Sequence, residues 1–262
     1  MEIIGYIAML FVGGTLGLIG GGGAILTVPI MVYLFKTPAV LATSYSLFVV
    51  GISSLFGVWR YHQEKLVAYP TAINFALPSF IGTYLARRVL MPRLPAVIFQ
   101  VGDYSFSKDQ LVMTVFALVM VGASVSMIRR GKDSAGSADM TPSRWLLGIL
   151  GLGVGFVAGF VGAGGGFLII PALVVLAGMP IAKAVGTSLL IISANSLFGF
   201  GGDILAANEM AWSFLAITTG IALVGIFLGS YAARFVPASK LKPAFGWFVL
   251  LMGSYIMLRQ LH

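Results

Sequence analysis

Apolar residues run through this chain in eight blocks, and all the charged positions but Lys183 fall outside them. The blocks cover residues 3–35, 39–59, 71–86, 111–128, 145–177, 181–201, 211–233 and 244–258. Most are close to the ~20 residues a helix needs to cross a bilayer. The first and fifth are too long for one crossing. As a single helix, 3–35 would extend ~50 Å at ~1.5 Å per residue, against a ~30 Å hydrocarbon core. Each long block carries a glycine cluster near its middle and a proline shortly after. The first reads Gly20-Gly21-Gly22-Gly23, then Pro29; the fifth reads Gly162-Ala163-Gly164-Gly165-Gly166, then Pro171. Glycine costs a helix ~1 kcal/mol relative to alanine, and proline ~3 kcal/mol. Both blocks are therefore predicted to be helix–break–helix units. The stretch 129–144 is hydrophilic and central, and reads as a linker.

The two sides of that linker repeat each other. A shift of 142 residues superposes Gly13–Gly57 on Gly155–Gly199 without a gap. Glycines 13, 17, 20, 22 and 23 fall on glycines 155, 159, 162, 164 and 165. Pro29 and Pro38 fall on Pro171 and Pro180, and Ser54-Leu55-Phe56-Gly57 falls on Ser196-Leu197-Phe198-Gly199. Further on, at a shift of 147, Gly82-Thr83-Tyr84-Leu85-Ala86-Arg87 is similar to Gly229-Ser230-Tyr231-Ala232-Ala233-Arg234. The reading is an all-α polytopic membrane protein of two homologous halves, each of about four hydrophobic segments opening on a glycine-broken helix. Residues 1–128 form the first transmembrane repeat, 129–144 the polar linker and 145–262 the second repeat. Duplicated halves with interrupted helices at matching positions point to a transporter's midplane site.

Composition agrees and removes competing classes. Hydrophobic residues make up 59% and charged residues 9%, with a mean hydropathy of +1.01. A soluble fold cannot cover itself with so few charges, so a soluble enzyme and a disordered chain are both excluded. Lipid is the expected partner of most of the surface, in a multi-pass protein of the cell (inner) membrane. The net charge of +8 is scattered, which reads as loop topology and not as nucleic-acid binding. There is no cysteine, so disulfides, thiol catalysis and thiolate metal sites are out. The opening Met1-Glu2-Ile3-Ile4 lacks a basic n-region and reads as a membrane segment, not a signal peptide. Two topologies fit the long blocks. If each crosses once, the halves are parallel. If each folds back as a re-entrant hairpin, the halves are inverted, and the loops then divide their Lys and Arg six to ten across the membrane. The re-entrant split is the cleaner asymmetry, and it makes 60–70, 129–144, 178–183 and 234–243 cytoplasmic.

Candidate chemistry lies at the breaks. An interrupted helix exposes backbone N–H groups, and glycine lets a ligand approach them, so an anion can be held without a charged side chain. Gly20, Gly21, Gly22 and Gly23, with Gly162, Gly164, Gly165 and Gly166, are the candidate backbone ligands. Gly13/Gly17 and Gly155/Gly159 have the four-residue spacing of close helix packing and are read as structural. Neither cluster is followed by the lysine of a phosphate-binding loop. A polar stripe follows each break: Thr43, Ser44 and Ser46 in the first half, and Gly186, Thr187, Ser188, Ser193, Asn195 and Ser196 in the second. Asn195, an amide at membrane depth, must find partners or face a cavity; Asn74 has the same need. All eight carboxylates and both histidines lie in loops or at segment ends. That disfavours a metal-cation carrier or an intramembrane hydrolase and suits an anion pathway; no catalytic residue, metal site or cofactor is assigned. Arg87 and Arg234, at equivalent segment ends, are placed at the pathway's mouths. Trp59, Trp145, Trp212 and Trp247 read as interface anchors.

The glycine cluster, the following proline and the Ala-x-x-x-Ser-Leu stretch (Ala42 to Leu47, Ala184 to Leu189), found twice in one small chain, resemble the TauE/SafE family of membrane transporters. Gly186-Thr187-Ser188 fits that family's pattern best; the first half departs from it with Thr43-Ser44-Tyr45-Ser46. The resemblance implies transport, often export, of sulfite and small organosulfur anions such as sulfoacetate. The expected function is a secondary transporter of small anions bound between the two breaks, with a proton or sodium ion for coupling and a homodimer left open. An anion channel or passive pore and a non-transporting membrane scaffold are the alternatives.

Overall fold

In the computed structural model of the chain, residues 2–19, 21–101, 104–129, 143–161, 165–204, 210–232, 246–247 and 250–258 are described. The first long block is broken as its glycines require. Helix α1 (Glu2–Ile19) stops before the cluster. Gly21–Leu26 tightens into a 3₁₀ helix, and α2 (Thr27–Tyr33) resumes the α form. The break is thus a change of helix type, because a 3₁₀ segment still satisfies part of the backbone that glycine would leave loose. Pro29 sits in the first turn of α2, where its missing N–H would have no helical partner anyway.

The rest of the first half comprises α3 (Ala39–Gln63), α4 (Tyr69–Tyr84), a π-helical turn at Leu85–Leu90, the short α5 (Met91–Arg93) and α6 (Lys108–Arg129). Between α5 and α6 lies a two-stranded antiparallel hairpin, β1 (Val97–Val101) and β2 (Tyr104–Ser107), with Phe99 stacked on Phe106 at 4.9 Å. The second half opens with α7 (Arg144–Val161). Gly165 then adopts a left-handed φ of 70°, and α8 (Gly166–Pro171) and a π-helical turn at Ala172–Leu176 follow. Next come α9 (Ile181–Ile204) and α10 (Trp212–Ala232), and residues 250–258 are helical. Among the described residues, α3, α7, α9 and α10 are long and apolar enough to cross a membrane. The four tryptophans are all exposed near segment ends, as interface anchors should be.

Glycine sets how the long helices pair. Gly13 and Gly17 of α1 lie against Ala222, Ile226 and Ser230 of α10, and Gly225 and Gly229 return the contact to Leu10 and Gly14. In α7, Gly151, Gly155 and Gly159 lie in the same way against Phe75, Ser79 and Thr83 of α4. In both pairs the contact numbers rise together, so the helices run parallel. A Cβ at Gly155 would fall 2.6 Å from the Cα of Ser79, and one at Gly17 would fall 2.6 Å from the backbone nitrogen of Ser230. These glycines are therefore packing residues, as their spacing predicts. The third pair behaves differently. Gly51 and Gly57 of α3 meet Leu197 and Leu189 of α9, and Leu47 meets Gly199. Here one number rises as the other falls, so α3 and α9 cross antiparallel. The 3₁₀ segment of the first half packs against α8 of the second, so the two broken segments meet.

Candidate functional site

The crossing of α3 and α9 carries a band of polar side chains inside an apolar protein. Ser46, Ser53 and Ser54 of α3 recur at seven- and eight-residue spacing and so share one face. Their equivalents in α9 are Ser188, Asn195 and Ser196. All six are buried. The hydroxyls of Ser46, Ser53, Ser54 and Ser196 and the Oδ1 of Asn195 have no hydrogen-bond partner, and neither do those of Thr27 at the start of α2 and Thr219 in α10. An unsatisfied buried polar group costs roughly 1–3 kcal/mol. Such groups are rare in native proteins and call for an explanation. Asn195 spends only its amide nitrogen, donating to Ser79 Oγ on α4 at 2.5 Å. Ser188 bonds back to the Val185 carbonyl at 2.8 Å.

A second constellation sits at one end of the helices. Arg87 lies in the π-helical turn after α4 and is only 8% exposed. Its Nε donates to Asp203 Oδ1 at 2.9 Å, and its Nη2 donates to Asp203 Oδ2 and, at 2.8 Å, to Ser44 Oγ. Its Nη1 donates to Thr43 Oγ1 at 3.2 Å and to the carbonyl of Gly159 at 2.9 Å. That carbonyl is in the last turn of α7, which has no helical donor for it. Ser44 Oγ donates to Asp203 Oδ2 at 2.5 Å. Arg87 thus ties together α3, α7 and α9 next to the second break. A cavity of about 440 Å³ opens on this cluster, lined by Pro38, Leu41, Ser44, Arg87, Lys108 and Asp203. Lys108 donates to the Met91 carbonyl. Asp109 accepts the N–H of Val40 at 3.0 Å, which anchors α6 to the start of α3.

The expected site residues are divided by this geometry. Thr43 and Ser44 belong to the arginine cluster, while Ser46 and Asn195 belong to the inner band. Gly186 and Thr187 lie at the other end of α9. Thr187 Oγ1 accepts the N–H of Ala68 at 2.9 Å, and a Cβ at Gly186 would fall 2.5 Å from the Leu66 carbonyl oxygen. Gly23 packs against α1, where a Cβ would fall 2.6 Å from the nitrogen of Leu16. Gly21 and Gly22 form the 3₁₀ turn, Gly165 makes the left-handed corner and Gly166 begins α8. Gly20, Gly162, Gly164 and Arg234 lie outside the described residues. Arg87 is at a segment end, where its inward-turned side chain lines the cavity. Its partner Asp203 was read only as an end-placed acid, since nothing in the sequence joins residues 116 apart. Ser53 had a signal, as the equivalent of Asn195, and was missed.

Comparison with known proteins agrees on the class. The family model described as "Sulfite exporter TauE/SafE" matches residues 6–256. A protein of Xylella fastidiosa, "Probable membrane transporter protein", is 30% identical over 258 residues, covering 95% of this chain and 92% of its own length. A protein of the same description from Haemophilus influenzae is 25% identical over 266 residues, covering 93% of each chain. One from Bacillus subtilis, "Probable membrane transporter protein YjnA", is 27% identical over 247 residues, covering 87% of this chain and 89% of its own. No solved structure matches the chain.

Proposed function

Because the chain belongs to the TauE/SafE sulfite exporter family and is a multi-pass membrane transporter, we propose that it exports a small oxoanion of the sulfite or organosulfonate class across the inner membrane. The observation that carries this reading is the inner band. Its unpartnered donors are hydroxyls, and no carboxylate stands among them. Hydroxyls donate one hydrogen bond each and bear no net charge. A ring of them can strip water from an anion and still release it, whereas a fixed cation at the same depth would hold the anion too long. Where α3 and α9 cross, Ser53, Ser54 and Ser196 are the ligands, with Ser46 nearer one end. The broken segments contribute backbone N–H groups around Gly21, Gly22 and Gly166.

The proposed organisation is two inverted halves, 1–128 and 145–262, joined by the linker 129–144. Antiparallel crossing of equivalent helices supports it. Contact between Leu47 and Gly199 is the mirror of contact between Gly57 and Leu189, the relation expected across a two-fold axis in the membrane plane. Each long block then returns to its own side, and the Arg87 cavity faces outward. Flux across proteoliposomes tests the function. The protein is expected to move sulfite or sulfoacetate saturably, with chloride as a poor substrate, and to accumulate it when an ion gradient is imposed. Wild-type flux in a folded variant carrying both Ser53→Ala and Ser196→Ala would overturn the assignment of the band.

A further inference from the structure

Arg87 has five N–H donors, and five acceptors surround it: both oxygens of Asp203, the hydroxyls of Thr43 and Ser44, and the carbonyl of Gly159. No donor is left for an anion arriving in the adjacent cavity. Asp203 grips the guanidinium through both carboxylate oxygens, the two-point geometry by which arginine recognises oxoanions. The pair is layered. The Arg87 side chain is 5% exposed and that of Asp203 is 16% exposed, so the carboxylate is the more accessible partner. The other charges lining the cavity are Lys108, which gives one of its three N–H groups to the Met91 carbonyl, and Asp109, one of whose oxygens accepts the Val40 N–H. The pair itself is not repeated in the sequence. Arg87 has its equivalent in Arg234, but the position equivalent to Asp203 is Tyr61.

Resting on the anion-transport reading above, we propose that Asp203 is a built-in surrogate ligand. It occupies on Arg87 the place of an oxoanion with two oxygens in one plane, such as a sulfonate, sulfite or carboxylate, and an anion in the outer cavity exchanges with it. While Asp203 is bound, the end of α9 is latched to α3, to the turn after α4 and, through Arg87, to α7. When an anion takes its place, the carboxylate swings off Arg87 and the end of α9 is freed. One mouth of the transporter therefore carries its own competitor, and the equivalent position of the other half offers a tyrosine. Anion affinity is lowered on the Asp203 side, the sense required of a release side.

The test uses purified full-length protein, with methanesulfonate as the probe and chloride as the control at matched ionic strength. Asp203→Ala is expected to lose thermal stability and to regain part of it saturably with methanesulfonate, but not with chloride. Its apparent affinity should exceed that of the wild type at least tenfold, and the double variant Arg87→Met with Asp203→Ala should not respond. Asp203→Asn keeps the side-chain shape and should show the same gain, which decides the matter if the alanine variant does not fold. No gain of affinity, or equal rescue of the double variant, overturns the latch. Flux in proteoliposomes separates this from the transport reading. A wild type that transports, alongside an Asp203 variant without gained affinity, refutes the latch alone. A tight-binding variant with no flux in any form refutes transport and leaves the latch standing.

Discussion

Replacing Gly13 by alanine adds a single methyl group, and the structure assigns it an effect out of proportion to its size. The new Cβ would fall 2.8 Å from the carbonyl carbon of Ala222 and 2.9 Å from the nitrogen of Ile226. Ordinary contacts of this kind lie near ~3.5–4.0 Å. The obstacle is backbone of α10, which has no rotamer to change, so the two helices must part. Overpacking of this kind costs about 1–3 kcal/mol, and the better helix propensity of alanine returns about 1 kcal/mol at most. Gly155→Ala meets the same obstacle at Ser79. Gly153→Ala, two positions away on the same helix, has nothing within 4 Å and should be neutral or slightly stabilising. At roughly 2–4 °C per kcal/mol for a chain of this size, Gly13→Ala and Gly155→Ala should melt several degrees lower in detergent, and Gly153→Ala should not. Equal melting of all three would refute the glycine-limited packing of α1 on α10 and α7 on α4.

Three further outcomes are expected. Ser54→Ala removes an unpartnered hydroxyl from an apolar setting, so its melting temperature should stay level or rise while sulfite flux falls at least tenfold; a fall in both would make Ser54 a structural residue. Asp109→Asn keeps an oxygen for the Val40 N–H, so proteoliposome flux should stay within about threefold of wild type, or ~0.7 kcal/mol in activation free energy. The absence of native cysteine permits a test of inversion: single cysteines at Gly178 and Ser137 should share their response to an impermeant thiol reagent in intact cells, with Pro38→Cys responding in the opposite sense.

Much of the fold was legible because its signals are local. Glycine runs and prolines break helices wherever they occur, and both breaks fall in the expected blocks. The four-residue glycine spacing correctly marks the packing faces of α1 and α7. Its severity was not legible: read from sequence, Gly13→Ala looks mild, because only the structure shows backbone instead of side chain opposite it. The hairpin at 97–107 was missed in a loop read only for its charges. The arginine cluster was half legible. Arg87 and Asp203 were both noticed as segment-end residues, yet their pairing depends on α9 crossing α3 antiparallel, which no single segment encodes. Thr187 was legible only as a motif position: that its hydroxyl accepts the N–H of Ala68, which leaves its own proton to donate, depends on the loop before α4 packing on α9.

The three helix pairings also suggest where such a transporter can move. Two of them, α1 on α10 and α4 on α7, are backbone-to-backbone contacts in which Gly13, Gly17, Gly151 and Gly155 leave no room for an added methyl group. Packed interfaces of this kind deform at high cost and tend to move as units. Each unit joins helices from both halves, so the halves cannot simply separate at the linker. The antiparallel crossing is different in kind. It is made through leucine side chains and lined with hydroxyls lacking partners, so sliding there breaks few hydrogen bonds, and an anion supplies the missing partners in either arrangement. The largest polar tie across this crossing near the cavity is the Arg87–Asp203 pair with Ser44. Breaking such a pair without a substitute costs about 3–5 kcal/mol, whereas exchanging its carboxylate for another oxoanion keeps Arg87 satisfied. In the proposed exporter the anion is thus both cargo and the agent that makes opening affordable. Flux should consequently rise with external oxoanion of the same class (trans-stimulation) and lose that dependence in Asp203→Asn.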